Sequence, residues 1–202
     1  MWFRLPNSDG RGGTMKLGAA VGAALALAMA GCSAAYVEDS QATVLLLVSS
    51  INKGATVTSD VRGEGGVITN CPVDATMVVV VKNPNNPGSP PVENVILQRY
   101  EVSFQRSDGR GVEGLDVPYR FSGAMTETVA VGGEATVSID LVRQQAKLEP
   151  PLSNITGLQI VEMTATVTFY GATVSRRTVS ATGSAGIRFA DYGTGTPTCE
   201  GS

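Results

Sequence analysis

The stretch TMVVVVK at residues 76–82 decides the fold class of this chain. Its four consecutive valines are typical of a β-strand, because β-branched side chains pack well on a pleated surface. Residues 83–91 then read NPNNPGSPP, and proline and glycine at this density predict a surface loop. The stretch therefore predicts a strand that ends in a loop.

Alternating apolar and polar residues on both sides of this stretch predict further strands. In residues 95–106, Tyr100, Val102 and Phe104 share one face, and this period of two is typical of a half-buried strand. The sequence TVLLLVS at residues 43–49 is continuously apolar, which predicts a strand buried on both faces or a covered edge strand. The other predicted strands are residues 56–62, 67–69, 135–141, 159–170 and 174–189, with a turn at 171–172, and an edge segment at 117–121.

Only residues 142–148 favour a helix, which Pro150 and Pro151 would end. Its expected inward side chains are Leu141, Val142 and Leu148, and its expected solvated side chains are Arg143, Gln144, Gln145 and Lys147. Seven or so strands with one short helix predict an all-β fold, an immunoglobulin-like antiparallel β-sandwich. We place this domain at residues 43–192 and a C-terminal tail at residues 193–202.

Composition excludes several classes of function. The chain of 202 residues contains 0 histidines, which excludes Ser-His-Asp and Cys-His catalysis and histidine-ligated zinc. The formal net charge is −3, and an acidic chain without a basic cluster argues against a nucleic-acid partner. We therefore expect no enzyme activity and no cofactor, although carboxylate chemistry is not excluded.

Residues 15–31 have the composition of a secretory signal peptide. Lys16 supplies positive charge, and residues 17–30 are almost wholly apolar or small. This apolar run is shorter than the ~20 residues that a membrane-spanning helix needs. Residues 1–14 fit neither a signal nor a domain, so we expect Met15 to be the true start.

Met29-Ala30-Gly31-Cys32 resembles the lipobox of bacterial lipoproteins. The resemblance implies cleavage between Gly31 and Cys32 and acylation of Cys32, for example with palmitate. Because Ser33 rather than aspartate follows, it also implies a lipid-anchored location at the outer membrane, on its periplasmic or surface face. Residues 32–42 would then form a tether.

Two cysteines remain once Cys32 carries lipid. Cys71 and Cys199 would lie in an oxidising compartment, where disulfides form and persist. We expect a disulfide between them, the alternative being two free thiols. Such a bridge would hold the C-terminal tail against the domain.

Two further resemblances concern the domain itself. VVVVKNP at residues 78–84, with Gly132-Gly133 before an alternating strand, resembles the Ig-like fold of late-embryogenesis and water-stress proteins. A second set of segments resembles a group of lipoproteins of Gram-negative bacteria and implies no catalytic residues. These segments are DVPY at 116–119, LVRQQAKLEPPL at 141–152, FYG at 169–171 and FADY at 189–192.

Three carboxylates are weak candidates for a calcium site. Asp108, Glu113 and Asp116 fall in one loop, and calcium prefers oxygen ligands on flexible loops. The calcium-binding pattern D-x-[DN]-x-[DN]-G is absent, so a solvated loop is the alternative. A pair of carboxylates could also catalyse glycoside hydrolysis, but nothing in the sequence defines the pair.

Two further patterns have structural alternatives. Ser50 and Lys53 match the S-x-x-K of penicillin-binding enzymes, but they follow a predicted strand and the partner motifs are missing. Four aromatic residues could form a platform for carbohydrate or could simply pack in the core. They are Tyr119, Phe121, Tyr170 and Tyr192.

Three functions remain open. The first is a membrane-anchored structural or interaction module that binds an envelope protein through loops or an edge strand. The second is a calcium- or glycan-binding module that uses loops 83–94 and 107–117. The third is a carboxylate-based hydrolase, which needs a cleft with two carboxyl groups of raised pKa.

Overall fold

A computed structural model describes residues 42–82, 93–193 and 199–201. All of these belong to the unit Glu38–Ser202. The predicted signal peptide, the cleavage site at Gly31, the lipidation site at Cys32 and most of the 83–94 loop lie outside the described residues. Within those residues, no helix has the length and apolar character needed to cross a membrane.

Nine strands and one short α-helix run through the described residues. The helix, α1, is Gln144–Leu148, and 3-10 turns occur at Asn52–Gly54, Glu64–Gly66 and Leu152–Asn154. The strands are β1 (Val44–Ile51), β2 (Val57–Asp60), β3 (Cys71–Val81), β4 (Val95–Arg106), β5 (Phe121–Val129), β6 (Glu134–Val142), β7 (Ile160–Thr173), β8 (Thr178–Ala190) and β9 (Cys199–Gly201).

These strands form two sheets. The smaller has three strands in the order β1-β3-β6, and the larger has six in the order β5-β4-β7-β8-β2-β9. Most neighbours are antiparallel, but β2 runs parallel to β8 from Val57↔Ile187 to Asp60↔Ala190. The expectation of a wholly antiparallel fold is therefore wrong at this pair. The chain leaves the smaller sheet after β1, so β2 joins the larger sheet and forms no hairpin with β1.

The predicted alternation is confirmed in the central strands. The apolar side chains of β4, β6 and β7 that share a face are buried in one hydrophobic core between the sheets. The Tyr100 hydroxyl of β4 reaches across this core and accepts a hydrogen bond from the Asp140 N–H of β6 at 3.2 Å. One core therefore supports both sheets.

Three local predictions about strands are wrong. Of the predicted edge segment 117–121, only Phe121 lies in a strand, β5. Residues 67–69 form no strand. The turn predicted at residues 171–172 lies inside β7, and the chain turns after Thr173 instead. A Cβ on Gly171 would lie 2.6 Å from the Ile96 carbonyl oxygen. This glycine therefore allows β7 to approach β4 closely, and it does not mark a turn.

The predicted orientation of the helix is also partly wrong. Leu148, expected inside, is 53% exposed, whereas Lys147, expected in solvent, is only 2% exposed. Leu141 and Val142 are buried as predicted. A helix of five residues is too short for its apolar period to define which face turns inward.

The predicted disulfide is confirmed. Cys71 and Cys199 are bridged across 128 residues of sequence, with their Cα atoms 5.2 Å apart. The predicted tail contains β9, which pairs with β2 in antiparallel register and places Cys199 opposite Ser59. The bridge thus links the first residue of β3 in the smaller sheet to the edge of the larger sheet.

The two sheets come closest where β8 faces β1. A Cβ on Gly183 would lie 2.6 Å from Val48 Cγ1 and 3.1 Å from Ile51 Cδ1. Real Cβ atoms do not tolerate the shorter distance, and a β-branched neighbour has little freedom to move away. Gly183 is therefore required for the packing of β1, and it forms no bulge, because the β7–β8 register is continuous.

We expect Gly183→Ala to lower the free energy of unfolding by about 1–3 kcal/mol, because it overpacks the contact between the sheets. Urea denaturation measures the change. Gly111→Ala is the matched control, since nothing lies within 4 Å of its added Cβ, and it should change stability by less than about 0.5 kcal/mol. Val48→Ala should cost less in the Gly183→Ala background than in the parent. Purely additive effects would contradict this interpretation.

Candidate functional site

The strand β1 forms one edge of the smaller sheet. The N–H of Lys82 donates to the carbonyl of Thr43 at 2.9 Å, which sets the alternation of hydrogen bonds along the β1–β3 pair. By this alternation Leu45 and Leu47 bond to β3, whereas Val44, Leu46 and Val48 direct their N–H and C=O groups away from it. We call residues 44–48 the β1 edge.

The hydrogen bonds of Val79 confirm this alternation. Val79 lies opposite Leu46 in the register. Its carbonyl accepts from the Gly132 N–H at 2.8 Å and its N–H donates to the Gly133 carbonyl at 3.4 Å, both on the side away from β1. Outside the strand ladders, no backbone hydrogen bond between described residues uses Val44, Leu46 or Val48.

The outer face of the β1 edge is apolar and partly exposed. Leu45 is 43% exposed and Leu47 is 47% exposed, and their cross-strand partners are Val80 and Val78. The prediction that this apolar run is buried on both faces or covered is therefore wrong. The run alternates between core and surface like the other strands.

The β1 edge lacks the usual protection of an edge strand. Natural edges carry charged residues, proline or bulges that block pairing with another chain. Residues 44–48 contain neither a charge nor a proline, and the irregularity in register comes only after Val48. By contrast β6, at the other edge of the same sheet, carries Glu134 and Asp140. Val44 and Leu46 are nevertheless only 1% and 4% exposed as whole residues, so their outward-directed backbone groups are covered. The surface that the β1 edge offers is therefore the apolar face of Leu45 and Leu47.

The three candidate calcium ligands are engaged by other groups. Asp108 accepts hydrogen bonds from Arg110 Nη2 at 2.7 Å and from Arg106 Nε at 3.2 Å. The Arg110 hydrogen bonds lower the pKa of Asp108 to about 2, despite an opposing effect of desolvation. A low pKa is the reverse of what a general acid needs.

The other two carboxylates are similarly occupied. Glu113 accepts from Arg120 Nε at 2.7 Å, and Asp116 accepts from the Val112 N–H at 3.2 Å. Within the described part of the chain, no three potential metal ligands lie close enough together to hold an ion. Arginine pairing and backbone hydrogen bonds therefore organise the 107–117 loop.

The aromatic residues do not form one platform. Phe121 is buried and packs edge-to-face on Tyr100 with centroids 6.4 Å apart. The guanidinium carbon of Arg99 lies over the Tyr170 ring, 3.7 Å from the ring centroid. Tyr119 is 52% exposed. The glycan interpretation thus receives no geometric support from these side chains.

The S-x-x-K residues also lack the required arrangement. Ser50 lies in β1, and Lys53 lies in the following turn with a positive φ of 54°. No helix brings the two side chains onto one face.

A cleft that the sequence did not indicate lies beside the start of β7. Its lining includes Arg106, Asp108, Glu162 and Arg188. Arg188 pairs with Glu162 at 2.9 Å, and Arg106 pairs with Asp108 at 3.2 Å. Since each arginine faces a carboxylate, the cleft has little net charge with which to select an ionic ligand.

Two buried charged residues, which sequence reasoning also missed, lie in α1 and β2. Lys147 of α1 and Asp60 of β2 are both almost fully buried. Asp60 Oδ1 accepts from the Arg62 N–H at 3.0 Å and from the Tyr192 N–H at 3.4 Å. Burial lowers the pKa of Lys147 to about 8, and the Asp60 charge opposes this shift. Lys147 lies between alanine and leucine in the sequence, where nothing marks it as buried.

This depressed pKa predicts a specific dependence of stability on pH. The unfolded lysine titrates near its ordinary value of 10.5 and the folded lysine near about 8. Between these values the unfolded chain holds more protons, so this group's contribution to stability rises with pH.

We expect the parent to gain about 2 kcal/mol relative to Lys147→Met between about pH 7.5 and pH 9.5. Urea denaturation at each pH measures the difference. Lys53→Met removes an exposed lysine and should show no such gain. An unchanged difference between parent and Lys147→Met would contradict a desolvated ammonium at this position.

Comparison with known proteins identifies no family. No family model matches the chain, and no curated protein matches it. Among solved structures, it is similar to the solution structure of a protein assigned to the late embryogenesis abundant (LEA) proteins, with a TM-score of 0.42 and 9% identity over 86% of this chain and 88% of that one. It is also similar to the periplasmic chaperone SfaE, with a TM-score of 0.31 and 12% identity over 76% of this chain and 60% of that one. TM-scores this low support no argument about function.

Proposed function

We propose that this chain is an outer-membrane lipoprotein, anchored through Cys32, whose Ig-like domain associates with another envelope protein through the exposed apolar side chains of the β1 edge. The proposed membrane location rests on Lys16, the apolar run of residues 17–30 and the Met29-Ala30-Gly31-Cys32 lipobox. Two or more acyl chains, at ~0.8 kcal/mol per buried CH₂, make such anchoring stable. The interaction rests on the exposed apolar face of Leu45 and Leu47, the observation that carries the proposal.

The strand order supports an Ig-like sandwich. In Ig domains the A, B and E strands share one sheet and the C, F and G strands share the other. If β1, β3 and β6 are assigned as A, B and E, the smaller sheet has this order. The larger sheet then reads C′-C-F-G for β5-β4-β7-β8. The segment β2 adds a second part of strand A beside G.

The proposed anchor keeps the β1 edge near the membrane. From Cys32 to Val44 the fully extended chain reaches at most about 40 Å. The first strand of the domain is also the edge strand, so the proposed binding site is the part of the domain tied most directly to the lipid. A partner in or on the same membrane would meet it there.

The other two functions have less support. The carboxylates of the 107–117 loop are engaged by arginines and backbone, which weakens the calcium interpretation. The glycan interpretation lacks a platform of exposed aromatic rings. A hydrolase needs a carboxyl group of raised pKa in a cleft, and Asp108, which lines the described cleft, has a lowered one.

Replacement of Cys32 tests the anchor. We expect the parent to fractionate with the outer membrane and to incorporate a metabolic palmitate label, and Cys32→Ala to lose both properties because the acyl acceptor is gone. Ser33→Ala, one residue away, should retain both. An unlabelled parent, together with a Cys32→Ala variant that still sediments with membranes, would refute the anchor.

A photo-crosslinking residue placed at Leu47 tests the binding site. We expect it to give a discrete adduct in intact cells, because Leu47 is exposed at the β1 edge. The same probe at Leu158, which is fully exposed but remote from β1 in sequence, is the matched control and should give none.

Leu45→Lys should reduce the Leu47 adduct at least about tenfold, because an unpaired ammonium group disfavours burial of this apolar face against a partner. Thermal melting of each variant checks that the fold is retained. Equal adducts from Leu47 and Leu158, or none from either, would exclude the β1 edge as the binding site.

A further inference from the structure

We infer that the Cys71–Cys199 disulfide is a redox switch: a dithiol reductant reaches it from the side of Cys199, breaks it and releases β9, while the two sheets stay folded. This inference concerns a site that the proposed function does not use, and it does not depend on the lipid anchor. It follows from three observations: the unequal exposure of the two cysteines, the weak pairing of β9 and the small contribution of β9 to the core.

The two cysteines differ in exposure. Cys71 is 0% exposed, whereas Cys199 is only partly buried against the core. Cys199 also lines a second surface cleft, together with Asn70 and Gln144. Thiol–disulfide exchange requires that a thiolate reach a sulfur atom, so exposed bridges are the labile ones. A reductant therefore attacks the Sγ of Cys199.

The exchange consumes one dithiol and proceeds in two steps. The first thiolate attacks the Sγ of Cys199, so that the Cys71–Cys199 bond breaks, Cys71 leaves as a thiolate and a mixed disulfide forms on Cys199. The second thiol of the reductant then loses its proton and attacks the reductant's own sulfur in the mixed disulfide, which releases Cys199. Both cysteines end as protonated thiols, and the reductant, having lost two electrons and two protons, becomes a disulfide.

Backbone pairing alone holds β9 weakly. The Val61 N–H donates to the Ala190 carbonyl of β8 at 3.0 Å. Because bonding directions alternate along a strand, Thr58 is the one β2 residue in register with β9 that directs its N–H and C=O groups toward it. Thr58 faces Glu200, and this pair exchanges two hydrogen bonds. Ordering the three residues of β9 costs more free energy than two hydrogen bonds return, so the bridge keeps β9 in place.

The two sheets depend little on β9. This strand reads Cys-Glu-Gly, so Cys199 is its one apolar side chain, and that side chain is only partly buried. Without β9, β2 keeps its parallel pairing with β8, and β3 keeps its neighbours β1 and β6. Loss of the cross-link lowers the stability of the domain, but the core between the two sheets remains.

Amide hydrogen exchange of the full-length protein, with and without dithiothreitol, tests the switch. We expect reduction to accelerate exchange of the Thr58 N–H at least about 100-fold, because this group loses its acceptor in β9. The Val61 N–H, which is bonded to β8, is the matched control and should accelerate less than about fivefold. Cys199→Ser should give fast Thr58 exchange without reductant, and dithiothreitol should then change nothing.

Partial reaction with glutathione tests the point of attack. Mass spectrometry should find at least about tenfold more glutathione on Cys199 than on Cys71, and an excess on Cys71 would overturn the assigned point of attack. A bridge that dithiothreitol cannot reduce in the folded domain, or a Thr58 N–H that stays protected after reduction, overturns the switch. Equal acceleration at Thr58 and Val61, in the reduced protein and in Cys199→Ser, also overturns it, since the whole domain would then open.

Discussion

In an antiparallel ladder, the direction of a side chain and the direction of its backbone hydrogen bonds both alternate with a period of two residues. In β1 the residues that face the core are also the residues whose N–H and C=O groups point out of the sheet. Val44 and Leu46 therefore face the core and direct their backbone groups away from β3, whereas Leu45 and Leu47 bond to β3 and expose their side chains. The core that stabilises the domain thereby fixes which side chains of β1 reach the surface.

That edge is held in place by close packing between the sheets. Gly183 lets β8 approach Val48 and Ile51 of β1, and the Tyr100 hydroxyl bonds to the Asp140 N–H on the opposite sheet. Gly123 leaves the room that the Tyr100 ring occupies, since a Cβ there would overlap it. Glycines inside these strands thus lie where a Cβ would prevent close contact between neighbouring residues.

The sequence predicted the strands in which apolar and polar residues alternate. It also predicted the disulfide, because a lipid on Cys32 would leave only two cysteines to pair. Strand β4 has the predicted bounds, and the Cys71–Cys199 bridge followed from the assignment of Cys32 to lipid. The exposure of Leu45 and Leu47 was missed because a continuous apolar run has no period to read. The parallel β2–β8 pair and the burial of Lys147 depend on contacts distant in sequence, which no local pattern encodes.

An edge without charge is normally a hazard, because an accessible edge pairs with any extended chain. The two edges of the smaller sheet avoid this hazard in different ways. The β6 edge carries Glu134 and Asp140, whereas at β1 the backbone groups of Val44 and Leu46 are covered, because these residues are only 1% and 4% exposed. What β1 offers a partner is therefore a set of apolar side chains, and a membrane tether would keep them close to a partner on the same membrane.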